Sequence, residues 1–292
     1  MQNYESRSNM NRPTQLLATS IIFSLGIATA IYGQDSVLPL RQAHAHNDYQ
    51  HERPLLNALS YGFCSVEADV FLVDGDLLVG HDIWSLKKGR NLRKLYLDPL
   101  LALVKKHNGK VYEDGPLFTL LIDFKADGEK IYPVLKRQLE DYKEMLCGIH
   151  DGSHQMRAIQ IVISGACPRK LIENDSQRLV SIDGRLSDLE SKASAELMPL
   201  ISDRWGSHFK WRGKSKMKNA TKEKLQMIVT KAHAAGRRVR FWATPESPEV
   251  WNALLAAGVD HINTDKLQML QQHLKQAVPK PRTQAEQHPD DT

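Results

Sequence analysis

Cysteine is scarce in this sequence. The 292 residues contain three cysteines, Cys64, Cys147 and Cys167, and their spacing matches no metal-finger pattern. An odd number leaves at least one thiol unpaired, and Cys64, at the entry to an apolar strand, is predicted to be a small buried residue. A Cys147–Cys167 disulfide stays open as an alternative for an oxidising compartment. Cysteine-based zinc fingers are excluded.

A strong excess of one charge sign is also missing. The chain has 39 Lys and Arg against 34 Asp and Glu, and the net charge of +5 is spread along its length. This balance mildly favours anionic substrates or membrane surfaces and gives no reason to expect nucleic acid as a partner. With 41% hydrophobic and 25% charged residues, the composition is that of an ordinary soluble globular protein.

Residues 1–33 are predicted to be a signal peptide rather than part of the fold. Arg7 and Arg12 precede an apolar stretch from Leu16 to Tyr32, and small residues at 28–30 and the junction after residue 33 are candidate cleavage points. An uncleaved membrane anchor is the alternative, because 17 residues nearly span a bilayer. The mature chain is therefore expected to be exported to the periplasm or the medium.

The remainder alternates short apolar runs with helical patterns, which is typical of repeated strand–helix units. Apolar residues recur at helical spacing at 95–104 and again at 225–232, where Gly236 ends the pattern. The number and length of the runs predict an α/β fold, a TIM (β/α)8 barrel over residues 34–277, with a disordered tail at 278–292. The eight predicted strands are 42–46, 65–70, 118–124, 159–164, 179–183, 199–203, 239–243 and 261–264.

Charged residues cluster at the ends of these predicted strands, where a parallel barrel builds its active site. Glu67 and Asp69 lie two apart, so both carboxylates share one face of the strand, and a divalent cation would offset their charges. Asp123 and Lys125 repeat the spacing in the third strand. Asp123 is the third predicted metal ligand, and Lys125 is predicted to hold a phosphate oxygen. A buried structural ion pair is the alternative for these two residues.

Histidines stand on either side of the first carboxylate pair. His46 precedes it and His81 follows it, which suits metal-assisted acid–base chemistry on a phosphate or acyl ester. Asp82 is expected to orient an imidazole. His44 faces the same way as His46, so strand periodicity cannot separate them, and a zinc amidohydrolase that uses both is an open alternative.

The order His46, Glu67-x-Asp69, His81-Asp82 resembles the glycerophosphodiester phosphodiesterase superfamily of phospholipase-C-like TIM barrels. The phrases His-Asn-Asp-Tyr and Ser-Val-Glu-Ala-Asp-Val resemble the altered-inheritance-of-mitochondria subgroup, and the spacing is also similar to sphingomyelinase D-type phospholipases. The resemblance implies one Mg or Ca ion on the three carboxylates. It also implies His46 as base or nucleophile and His81 as the acid that protonates the leaving alcohol.

Two further residues enter through this resemblance. Trp242, at the end of the seventh strand, is expected to line the substrate pocket, with barrel-core packing as the alternative. Asn47 is expected to contribute to substrate binding, because His-Asn-Asp stands where ordinary glycerophosphodiesterases have His-Arg-Gly. Glu52-Arg53-Pro54 likewise replaces a Glu-Asn-Thr motif. These departures leave a catalytically silent barrel that binds a phosphorylated ligand as the rival function.

The sequence thus predicts a monomeric, metal-dependent phosphoric diester hydrolase. Its substrate is expected to be a glycerophosphodiester or (lyso)phospholipid-like molecule, with hydrolysis and cyclic-phosphate formation both open. The loop after the sixth strand mixes tryptophan with basic residues, so it is either a solvated loop or a contact for an anionic head group or lipid interface. That loop contains Trp205, Lys210, Trp211, Arg212, Lys214, Lys216 and Lys218.

Overall fold

The computed structural model describes residues 37–277. The predicted signal peptide, 1–33, and the predicted tail, 278–292, lie outside the described residues. Among the helices that fall within residues 37–277, none has the length and apolar character needed to cross a membrane.

Eight parallel strands close into a barrel, each paired with the next and the last paired with the first. Every predicted strand overlaps one of them, so the TIM-barrel prediction is confirmed. In order around the barrel they are β1 (Leu40–Ala45), β2 (Phe63–Val73), β4 (Phe118–Phe124), β7 (Ile159–Gly165), β8 (Ser181–Gly184), β9 (Leu200–Arg204), β10 (Arg238–Trp242) and β11 (His261–Thr264).

Three more strands form hairpins outside the closed barrel. Strand β3 (Asp76–Val79) runs antiparallel to β2 after a turn at Asp74-Gly75, whose positive φ values of 50° and 80° suit this dipeptide. Strands β5 (Gly148–His150) and β6 (Ser153–Gln155) pair across Asp151-Gly152, which has the same backbone signs. Both turns place an aspartate and a glycine at positive φ, where these two residue types are well tolerated.

Helices cover the outside of the barrel. The predicted apolar pattern at 95–104 lies in a π-helical turn (Arg93–Leu97) that continues into α2, and the pattern at 225–232 lies in α6. The helices are α1 (Leu56–Ser60), α2 (Asp98–Lys106), α3 (Gly128–Leu139), α4 (Arg169–Glu173), α5 (Trp205–His208), α6 (Asn219–Ala234), α7 (Pro248–Ala256) and α8 (Leu267–Ala277). Short 3₁₀ turns lie at 48–50, 83–85, 140–145 and 186–188.

The strands separate two different interiors. Their outward side chains pack with the helices into one large apolar core, which holds Val66, Ala68 and Val70 of β2. The inward side chains of the same strand are Ser65, Glu67 and Asp69, and all three are buried. Apolar contact inside the barrel is confined to a small cluster of Leu121, Val162 and Leu200. The barrel interior is therefore mainly polar, and the apolar layer outside it provides the hydrophobic stabilisation.

All three cysteines, which lie in the described part of the chain, are free thiols. Cys64 is buried as expected, and burial raises the pKa of its thiol to about 12. The Cys147–Cys167 disulfide that the sequence left open is not formed.

Candidate active site

Three carboxylates meet at the carboxyl end of β2 and β4. The parallel register pairs Asp69 with Asp123 directly, and Glu67 lies one inward position below Asp69 on the same strand. One oxygen from each of the three lies within 4.8 Å of the others. The structure thus brings the three predicted metal ligands into one acidic group that could hold a divalent cation.

Each of these carboxylates is held through one oxygen by a basic side chain. Arg240 Nη1 lies 2.6 Å from Glu67 Oε2, and Lys125 Nζ lies 2.7 Å from Asp69 Oδ2 and 3.3 Å from Asp123 Oδ2. Lys125 therefore forms ion pairs with two buried or half-buried carboxylates, which is the alternative role that the sequence left open for it. Asp69 Oδ1 is buried and accepts no hydrogen bond from any residue between 37 and 277. The group has more acceptors than donors.

The charges of these carboxylates are unevenly compensated. Burial raises the pKa of Asp123 to about 6 despite the opposing charge of Lys125. The pKa of Asp69 is also raised, by burial and by the neighbouring Glu67. Burial would raise the pKa of Glu67 too, but the Arg240 guanidinium and the other partners outweigh it and hold that pKa well below its ordinary value. Three hard oxygen donors with an orphaned buried oxygen fit a Mg or Ca ion.

His46 is oriented by a carboxylate from the opposite end of the sequence. Its Nδ1 lies 2.7 Å from Asp265 Oδ1, directly after β11. Because a carboxylate only accepts, Nδ1 carries the proton and neutral His46 has its lone pair on Nε2. Burial lowers the pKa of His46, but the hydrogen bond to Asp265 and the negative charges of Glu67 and Asp265 together outweigh that effect and raise it.

The expectation that Asp82 orients an imidazole is wrong. Asp82 Oδ1 instead accepts hydrogen bonds from the backbone N–H groups of Trp84 and Ser85, at 3.0 and 2.9 Å. Its carboxylate caps the 3₁₀ turn at Ile83–Ser85, a role common for an aspartate before a helical turn. Asp265, which directly follows β11, was not selected from the sequence, because only barrel closure brings it to His46.

His81 lies at the mouth of the barrel beside Asp69. Its side chain is 58% exposed, and its Nδ1 is 3.4 Å from Asp69 Oδ2 and 3.3 Å from the Tyr49 hydroxyl. Tyr49, which the sequence analysis did not select, also approaches Asp69 Oδ2 at 2.6 Å and Asn47 Oδ1 at 2.8 Å. Tyr49 therefore links the predicted acid, a predicted metal ligand and the predicted substrate contact Asn47.

His44 has both ring nitrogens occupied inside the barrel. Arginine only donates, so Arg240 Nη1, 2.6 Å away, donates to His44 Nε2, and Nδ1 then donates to Ser65 Oγ at 2.7 Å. Burial and the Arg240 charge lower the pKa of His44 to about 4, which keeps the imidazole neutral. The 3.2 Å approach of Nε2 to Glu67 Oε2 is consequently a contact between two acceptors that share the Arg240 donor. A zinc site built on His44 and His46 would have to break this network.

The two tryptophans that the sequence placed near the barrel mouth, Trp242 and Trp205, lie in different surroundings. Trp242, at the end of β10, is half-buried, and the Arg204 guanidinium lies 6.0 Å from its ring centre. Trp242 therefore lies at the rim rather than in the packed core. Trp205 is fully buried, 4.2 Å from the Phe209 ring centre, so it forms part of the apolar core and not of an exposed basic loop.

Comparison with known proteins gives the same assignment from two parts of the chain. A model of the AIM6-like phosphodiesterase domain matches residues 34–183. A model of the glycerophosphoryl diester phosphodiesterase family matches residues 238–268, which include β10 and β11.

Full-length relatives extend this similarity. The chain is 30% identical over 256 residues to an altered inheritance of mitochondria protein 6 homolog from Arthroderma benhamiae, covering 76% of this chain and 80% of the relative. It is 29% identical over 266 residues to altered inheritance of mitochondria protein 6 from Eremothecium gossypii, covering 78% and 68%. A solved glycerophosphoryl diester phosphodiesterase from Parabacteroides distasonis aligns with a TM-score of 0.48 and 15% identity, over 86% of this chain and 91% of that one. The chain belongs to the family of AIM6-like phosphodiesterase domains.

Proposed function

We propose that this protein is a metal-dependent phosphoric diester hydrolase acting on a glycerophosphodiester or (lyso)phospholipid-like substrate. The observation that carries the proposal is the surroundings of Asp69. One oxygen of this carboxylate is buried and has no hydrogen-bond partner among residues 37–277, while its other oxygen contacts Lys125 and lies near His81. A cation site, a basic residue and an exposed imidazole thus converge at one barrel mouth.

Glu67, Asp69 and Asp123 would hold the cation, which we propose to be Mg or Ca because all three ligands are carboxylates. When bound, the cation would stabilise the charge that develops on the phosphate oxygens. Lys125, already between two of these carboxylates, would share them with the cation and add a donor for a phosphate oxygen.

The two histidines would move the protons. His46, held through Nδ1 by Asp265, presents Nε2 to take a proton from the attacking hydroxyl or to attack phosphorus itself. His81 would give its proton to the leaving alcohol as the phosphorus–oxygen bond breaks. If a substrate hydroxyl rather than water attacks, the product is a cyclic phosphate.

Asn47 and Trp242 remain proposed substrate contacts. Both lie at the carboxyl end of barrel strands, and Asn47 is fixed through its Oδ1 by Tyr49. The rival reading is a silent barrel that binds a phosphorylated ligand, favoured by the missing His-Arg-Gly arginine. It gives no reason for keeping both histidines and three carboxylates together. Export after removal of residues 1–33 also remains a proposal.

The test is hydrolysis of bis-(p-nitrophenyl) phosphate, glycerophosphocholine and lysophosphatidylcholine by the purified protein with Mg, Ca, Zn or EDTA. His46→Ala and Glu67→Ala should each abolish a Mg- or Ca-dependent activity, whereas Glu223→Ala, on the exposed face of α6, should leave it unchanged. Folded protein without turnover under any metal would favour the binding barrel. Activity with zinc alone would favour amidohydrolase chemistry.

A further inference from the structure

The loop that follows His81 carries the most exposed large apolar side chain recorded for the described residues. Trp84 is 92% exposed and its neighbour Ile83 is 58% exposed. Two adjacent apolar side chains in solvent are unusual on a soluble surface when they lie beside a candidate active site. Their position on the barrel rim indicates an interaction surface.

The exposure of Trp84 is built into the local structure. The Asp82 carboxylate accepts hydrogen bonds from the N–H groups of Trp84 and Ser85, and Ser85 Oγ donates to the Asp82 carbonyl at 2.7 Å. The turn also folds closely over Gly80, where a Cβ atom would lie 2.9 Å from both Ser85 Oγ and Leu86 Cδ2. A fixed backbone holds the two apolar side chains outward, so little ordering is needed when they bind.

Basic residues flank this apolar pair. Lys87 and Lys88 are exposed immediately after the turn, and Arg90 Nη2 donates to the Tyr49 carbonyl at 2.7 Å. The nearest acidic side chain in sequence, Asp82, has its carboxylate engaged in the cap. Tryptophan prefers the head-group level of a bilayer, and lysine side chains near an anionic lipid surface are attracted to it. The apolar pair Ile83 and Trp84 and the basic pair Lys87 and Lys88 together match the chemistry of an anionic lipid surface.

A cavity of about 640 Å³ opens between this loop and the proposed site. Its lining includes Tyr49, His51, Glu52, His81, Lys87 and Arg90, so two basic side chains and two histidines accompany the carboxylates of Glu52 and the capping Asp82 there. A head group at a lipid surface touched by Trp84 would therefore meet the cavity that contains His81. We infer that Ile83–Lys88 docks the barrel mouth onto an anionic phospholipid bilayer. The docking step is independent of turnover, and only its purpose rests on the proposed function.

The test uses the intact protein in EDTA with vesicles of phosphatidylcholine alone or mixed with phosphatidylserine. Vesicles that contain phosphatidylserine should shift the Trp84 emission to shorter wavelength, and brominated lipid should quench it. The signal of Trp84 is the difference between the wild type and Trp84→Phe, so binding through any other segment does not mimic it.

Variants separate the two parts of the surface. Trp84→Ala should weaken co-sedimentation with mixed vesicles by roughly tenfold. Lys87→Glu with Lys88→Glu should remove the preference for phosphatidylserine, and Met227→Ala, an exposed apolar residue on α6, should change neither. Hydrolysis of bis-(p-nitrophenyl) phosphate should be the same in Trp84→Ala and the wild type.

Three results would overturn the inference. They are an unquenched Trp84 in protein that sediments with vesicles, equal vesicle binding by Trp84→Ala, or a dimer that dissociates on that substitution. The last result would make the loop a self-association surface. Vesicle docking without any phosphodiesterase activity would contradict the proposed function and leave the docking surface in place.

Discussion

The two ends of the barrel interior are both polar but are balanced differently. At the amino end, Arg238 Nη1 donates to Thr119 Oγ1 and His261 Nε2, each at 2.9 Å, and Nη2 donates to Gln160 Oε1. At the carboxyl end, Glu67, Asp69 and Asp123 share Arg240 and Lys125. Donors meet neutral acceptors at the first end, whereas three carboxylates face two cationic side chains at the second.

Each end of the barrel interior contains a buried polar atom without a hydrogen-bond partner among residues 37–277, and these two atoms differ in charge. His261 Nδ1 has no partner among residues 37–277, but burial and Arg238 lower the pKa of this imidazole, so the orphan is neutral. Asp69 Oδ1 is also without a partner, and it belongs to a carboxylate beside two others. A neutral orphan is a modest local loss of stability, whereas a surplus of buried negative charge calls for a cation. The amino end therefore has the contacts of a structural network, whereas the acidic group at the carboxyl end fits the proposed cation site.

The strongest way to break this contrast is Asp69→Asn. The substitution should lower kcat/KM on a phosphodiester by about 10³-fold, because it removes one of the three carboxylates proposed to hold the cation, the one that contacts His81. Calorimetric titration with Mg or Ca should show a matching loss of affinity. The thermal midpoint of the metal-free protein should stay equal or rise, because one of three neighbouring like charges is gone. Retained activity would remove Asp69 from the site.

Arg238→Met should have the opposite profile. It leaves Thr119, Gln160 and His261 without their shared donor, so the free energy of unfolding in urea should fall by about 2–4 kcal/mol. The kcat/KM of the folded protein should be unchanged. Arg41→Met, an exposed arginine at the same end of the barrel, should alter neither quantity. A loss of activity without a loss of stability would contradict the division between the two ends.

A smaller effect on cation affinity is expected from Gly165→Ala, which tests whether the position of the Asp123 carboxylate matters for cation binding. Gly165 has a φ of +65°, and a Cβ there would lie 1.8 Å from Asp123 Oδ1. Asp123 would have to move, so cation affinity should fall by roughly 10- to 100-fold. Gly152→Ala is the matched control, because its φ is +78° and nothing lies within 4 Å of the added Cβ. Equal affinity in both alanine variants would show that Asp123 is not a ligand.

The sequence predicted those strands and residue pairs whose pattern lies within a single segment of the chain. Buried parallel strands such as β4 read as unbroken apolar runs, and β4 and β11 were predicted to the residue. Spacing by two placed Glu67 beside Asp69 and Asp123 beside Lys125 because side chains alternate along a strand. Local signals also misled: Asp82 is a turn cap, and Trp205 is a core residue at the start of a basic loop.

The contacts that sequence could not predict join distant strands. Asp265 orients His46 across 219 positions, and Arg240 holds Glu67 across 173. These pairs exist because β11 closes onto β1 and because β10 projects its inward side chains toward β2 across the barrel. Register between strands fixes such contacts, and no spacing within either segment encodes it. The acidic group was therefore predicted from the sequence, whereas Arg240 and Asp265, the groups that hold Glu67 and His46, were not.

The smallest expected effect concerns Asp48, and it tests how much an adjacent cationic side chain lowers the pKa of a buried carboxylate. Like Glu67 it is a buried carboxylate, but its partners are the Leu55 N–H and the Tyr96 hydroxyl rather than an arginine. Burial raises the pKa of Asp48 to about 6 from an ordinary value near 3.8, whereas Glu67, with Arg240 beside it, has a lowered pKa. Of these two carboxylates, the one that lies against a guanidinium therefore has the lowered pKa.

Because the folded state holds the Asp48 proton more tightly than the unfolded chain, this group favours folding below pH 4, and that contribution is lost as pH rises through 6. The loss is at most about 3 kcal/mol. Asp48→Asn cannot ionise, so urea unfolding at pH 4 and pH 7 should show the variant gaining on the wild type at the higher pH by up to that amount. Parallel pH dependences would mean that the Leu55 and Tyr96 hydrogen bonds fully offset the cost of burying the ionised carboxylate, so that the pKa of Asp48 is not raised. Buried negative charge would then be no guide to where this barrel binds a cation.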